Sequence, residues 1–74
     1  MDINNILEFS NIKSQYSHID IVLKNIEILS TDILKNINLT EEDKNYICNE
    51  IILATGALER IKTILNDKLN DSIN

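Results

Sequence analysis

Turn punctuation is almost missing from this chain: its 74 residues include no proline and a single glycine, Gly56. Proline and glycine are the strongest local breakers of regular structure, so a sequence without them has room for few elements, and those few must be long. A lone cysteine, Cys48, excludes an internal disulfide. The expectation is a single, nearly all-helical domain over residues 1–74.

The clearest start signal lies in the middle of the chain. Thr40-Glu41-Glu42-Asp43 puts a hydroxyl at an N-cap and three acids in the first turn, where free backbone N–H groups and the positive helix end favour negative charge. From there Ile47, Ile51, Ala54, Leu58, Ile61 and Leu65 recur at steps of four and three, a spacing that predicts a helix over about 41–70 with these six on its packing face. Arg60, Lys62 and Lys68 fall in its second half, toward the negative end.

The first half repeats the pattern. Phe9, Ile12, Tyr16, Ile19, Leu23, Ile26, Ser30, Ile33 and Ile37 keep three-four spacing and predict a helix over about 3–37. Ser17-His18-Ile19-Asp20 has the form of a capping box and marks a place near 14–18 where this helix would break; Ser30-Thr31-Asp32 is a weaker restart signal. Ile19–Leu23 and Ile26–Leu29, separated by Lys24-Asn25, also read as a minor strand-hairpin alternative. The helical period runs in phase through all three, so the helix is the better reading.

Between the two stripes, residues 38–40 must turn the chain, with Asn38 a candidate for the left-handed conformation. A short link makes the two helices antiparallel neighbours. About 35 residues of helix extend roughly 50 Å, well beyond the ~30 Å width of a compact sphere of this size. The fold expected is therefore a long antiparallel helical hairpin.

One hairpin does not cover all of its apolar residues. Ile21 and Ile28 fall opposite the first stripe, so they call for another helix or subunit. Gly56 costs a helix interior roughly 1 kcal/mol relative to Ala, and close approach of another backbone at Ala54, Gly56 and Ala57 would account for it; a tolerated glycine on an exposed face would do so equally well. A domain this small buries only roughly 60 % of its unfolded surface, which again favours self-association. We expect a homodimeric four-helix bundle with Ile21, Ile28, Ala54, Gly56 and Ala57 at the oligomer interface.

Composition excludes more functions than it suggests. The net charge is −5, and neither half of the chain carries a cluster of Lys and Arg such as a phosphate-tracking surface needs. Lys13, Lys24 and Lys35 recur every eleven residues and could form a stripe, but Asp20 stands four residues before Lys24 as an intrahelical partner. Nucleic acid is thus the weaker partner class. No cationic n-region followed by an apolar run opens the sequence and no stretch reaches membrane-spanning length, so the expected address is the cytoplasm.

Chemistry-bearing residues are few. His18, the only histidine, has no Cys or His at ligand spacing; Cys48 reads as a small, partly buried apolar group; Tyr16 and Tyr46 read as core-edge residues. No catalytic, cofactor or metal site is expected, since nothing pairs a nucleophile or acid with a base. Fifteen isoleucines and eleven asparagines suit an AT-rich genome, and the size fits the regulators carried by phages and mobile elements. The function expected is a small regulatory or inhibitory adaptor that binds a macromolecular target through outward-facing acids, with Asp20, Glu27, Glu42, Glu50 and Glu59 the candidates. A structural or assembly subunit of a larger complex is the alternative, and a nucleic-acid-binding helical dimer the second.

Overall fold

The computed structural model describes residues 3–73, with side chains for 10–71. Two helices of 33 residues each, α1 (Ile3–Lys35) and α2 (Glu41–Ile73), pack against each other as an antiparallel hairpin, and no strand occurs among the described residues. The molecule is a rod of 56 × 15 × 12 Å, as the helix lengths require. Helix α1 runs without a break through Ser17 and Ser30, so neither capping-type sequence interrupts it.

The start of α2 is made as the sequence implies. The Asp43 backbone N–H donates to Thr40 Oγ1 at 3.1 Å, and the Lys44 N–H donates to the Thr40 carbonyl at 3.0 Å, which satisfies two donors of the first turn. The turn itself differs from expectation. No described residue has a positive φ, so Asn38 is not left-handed. Asn36 turns the chain instead: its Oδ1 accepts the Asn38 N–H at 2.9 Å, a side chain standing in for the backbone of a turn, while its own N–H closes on the Ile33 carbonyl at 3.1 Å. Helix α1 therefore ends at Lys35, and Ile37, read as the last member of the first stripe, is 93 % exposed in the turn.

Elsewhere the α1 stripe packs as spaced. Ile12, Tyr16, Leu23, Ile26, Ser30 and Ile33 are half-buried, and Ile19, at 9 %, is the one apolar residue classed as buried among those described. Phe9 lies outside the described side chains.

The α2 stripe is corrected. Ile51, Leu58 and Leu65 face α1, but the second track of the seam is Cys48, Thr55, Lys62 and Leu69, not Ile47, Ala54 and Ile61. Ala54 and Ile61 are exposed, the latter at 46 %, and only Ile47 of that track is half-buried. Both tracks are spaced by seven and flank Ile51, Leu58 and Leu65 on opposite sides, and apolar content alone selects Ile47, Ala54 and Ile61, the track that does not face α1. A contact across the helices accompanies the chosen rotation: Lys62 Nζ lies 2.6 Å from Asp20 Oδ1 and 5.1 Å from the centre of the Tyr16 ring. The partner of Asp20 shown here is thus Lys62, on the other helix, rather than Lys24.

Candidate functional site

Rotating α2 in this way gives the hairpin two unlike long sides. Heptad steps keep Lys13, Asp20 and Glu27 of α1 on one of them, and Ile52, Glu59 and Asn66 of α2 beside them. A shallow groove runs along this side. It is lined by Leu23 and Ile26 from α1 and Ile51 from α2, with the exposed Ile52 at its edge, and Ser30 and Thr55 add hydroxyls. Glu27 and Glu59, one from each helix, line it as well. Nearer the open end of the hairpin, Tyr16, Glu59, Lys62, Thr63 and Asn66 line a small polar recess continuous with the same side.

Both acids stand on unbroken helix, four residues before a threonine. The Thr31 hydroxyl donates to the Glu27 carbonyl at 3.3 Å and the Thr63 hydroxyl to the Glu59 carbonyl at 3.0 Å, each reaching back one turn to the main chain. Lys62 closes one end of this arrangement. Its hydrogen bond to Asp20 raises its pKa above the ordinary lysine value; desolvation opposes this, and the weaker charge effects of Asp20, Tyr16 and Glu59 add to the rise. Lys62 remains a cation across the physiological range.

Of the five acids expected to read a partner, Asp20, Glu27 and Glu59 come together on this side, although Asp20 is already paired. Glu42 sits in the first turn of α2, and Glu50 shares a heptad position with Ala57 and Ile64. Neither lines the groove. Tyr46, read as a core-edge residue, is 67 % exposed on the outer face of α2. Cys48 is a half-buried free thiol, as its place beside the stripe implied.

The other long side is lined near the open end by Ser14, Gln15, His18 and Ile19 of α1 and by Ile61 and Leu65 of α2. His18 is exposed there. Groups of three or more His, Cys, Asp or Glu side chains that could hold a metal ion are not found among the described residues, and no described helix is long and apolar enough to cross a membrane.

Gly56 has no close neighbour on α1. A Cβ built there would meet Arg60 Nη1 at 3.4 Å and no atom of α1 within 4 Å, so the hairpin itself does not use Gly56 as a crossing point between backbones. Lys62, Tyr16 and Ile52 were passed over in the sequence as site residues, because a cross-helix cation and an off-stripe isoleucine leave no mark on apolar spacing. Comparison with protein-family models, with curated proteins and with solved structures gave no match.

Proposed function

We propose that this chain is a protein-binding adaptor, regulatory or inhibitory in effect, that works by contact and not by catalysis. Its target is a macromolecule presenting an amphipathic segment with Lys or Arg beside apolar residues. The supporting observation is that Glu27 and Glu59, one from each helix, line the same groove as the apolar Leu23, Ile26, Ile51 and Ile52. An apolar groove with acids in its lining matches the helix-in-groove mode of recognition, in which apolar anchors supply affinity and flanking charges choose the partner. Exposed acids of this kind steer encounter with a basic surface and raise the association rate more than the final affinity. In this reading the working form is a homodimeric four-helix bundle.

The experiment is a comparative capture from the native host. Wild-type protein and a Glu27→Lys/Glu59→Lys variant serve as baits, and bound proteins are identified by mass spectrometry. A protein held by the wild type and released by the variant, with a basic amphipathic segment in its sequence, supports the reading. Identical captures by both baits would remove the groove acids from the account.

A further inference from the structure

Self-association needs a surface, and we infer that the surface is the long side opposite the acidic groove, with a second copy of this chain as its occupant. The inference rests on the proposal that the working form is a dimer; what it adds is the face.

Gln15, Val22 and Leu29 share one heptad position on α1, and Ile47, Ala54 and Ile61 share one on α2. Gln15 and Ile61 line the same groove, so the two strips lie side by side along the rod, away from Asp20, Glu27 and Glu59. None of these six residues is charged. Leu29 is 48 % exposed and Ile61 46 %, with Ala54 open between them. Asp32 and Glu50 stand only at the margins, one heptad position further round each helix.

Bundle geometry selects this side over the back of α1. In a four-helix bundle each helix touches two neighbours whose directions differ by roughly a right angle. The strips containing Leu29 and Ile61 are turned from the hairpin seam by about one heptad position, a few tens of degrees at ~100° per residue, so a second hairpin laid on them shares one core with the first. Ile21 and Ile28, at 58 % and 54 % exposure, point away from α2 altogether and would remain outside that core.

Area and charge argue for a copy of the chain as occupant. A compact monomer of this mass exposes roughly 4,700 Å², whereas the hairpin exposes 5867 Å². The excess of about 1,200 Å² is more than the ~800 Å² that each partner contributes to an interface of standard size. A two-fold interface sets a patch against itself, so in a chain of net charge −5 a patch without unbalanced acids pairs at the least electrostatic cost. The strips from Gln15 to Leu29 and from Ile47 to Ile61 meet that condition, with Lys68 one heptad step beyond Ile61, and the groove side with Glu27 and Glu59 does not.

The test uses sedimentation velocity on the full chain and two double variants, Leu29→Asp/Ile61→Asp and Ile21→Asp/Ile28→Asp. The expected result is a dimeric wild type, a dimer for the Ile21/Ile28 variant, and dimerisation weakened more than ten-fold for the Leu29/Ile61 variant. Because the last may lose its fold with its partner, hydroxyl-radical footprinting of the wild type gives an independent readout. Raising the protein concentration should protect Leu29 and Ile61 and leave Ile21 and Ile28 unchanged. A dimeric wild type that protects Ile21 and Ile28 instead would overturn the choice of face alone; a monomeric wild type would overturn the dimer on which it rests.

Discussion

Lys62 reaches from α2 to place its Nζ 2.6 Å from Oδ1 of Asp20 on α1, an ion pair that crosses between the helices. It marks which of two tracks on α2 faces α1, and so sets the acidic groove side of the rod apart from the side that carries Leu29 and Ile61. The two residues should therefore act as a unit. In a double-mutant cycle, Asp20→Asn and Lys62→Met should each lower the midpoint of thermal unfolding, and the double variant should lose less than their sum. Additive losses would mean that the pair is incidental to the fold.

The same pair predicts a pH dependence. The folded-state pKa of Lys62 is raised, chiefly by its hydrogen bond to Asp20. Its contribution to stability is then fully present below the unfolded value of about 10.4 and is lost as pH rises through the higher folded value. Urea unfolding followed by circular dichroism should show an alkaline loss of stability in the wild type that is reduced in Lys62→Met. Equal alkaline slopes in the two proteins would dissociate the effect from Lys62.

The cap of α2 allows a simpler prediction. Thr40→Ala removes the acceptor of the Asp43 N–H and should cost about 1 kcal/mol in urea unfolding at fixed protein concentration. Asn or Ser at the same position should recover most of it.

Gly56 decides between an open helix face and a contact with another backbone. In the hairpin an added Cβ meets only the flexible end of Arg60, so Gly56→Ala should stabilise by up to about 1 kcal/mol. Destabilisation with loss of the dimer would place a neighbouring helix against Gly56 in the assembly.

Much of the fold was legible in the sequence, for identifiable reasons. The α1 stripe from Ile12 to Ile33 packs as its spacing implies, since Ile19 and its neighbours offer a single apolar face toward α2. Thr40 caps α2 because hydroxyl chemistry at a helix start is local. The rotation of α2 was not legible. Ile47/Ala54/Ile61 is the more apolar track, yet Cys48/Thr55/Lys62 faces α1, where Lys62 meets an anion and a ring that lie some 40 residues away in sequence. Asn38 failed as the turn residue because Asn36 provides the hydrogen bond from outside the turn's centre. Of the five acids, only Asp20, Glu27 and Glu59 converge, since sharing a side depends on that same rotation.

Nucleic acid remains the partner class that the charge argues against. Lys13, Lys24 and Lys35 are exposed along α1, but Asp20 and Glu27 stand among them. In a gel-shift assay duplex DNA should not be retarded even at low salt. Retardation that weakens by roughly 0.9 log units per log unit of salt for each phosphate contacted would make those lysines a binding track.

Self-association through an uncovered apolar side is the claim from which the rest of the functional account proceeds, and light scattering at micromolar concentration measures it most directly. The account predicts a mass of at least twice the 8.5 kDa chain. A mass of one chain, in a sample whose circular dichroism shows both helices fully formed, would contradict it.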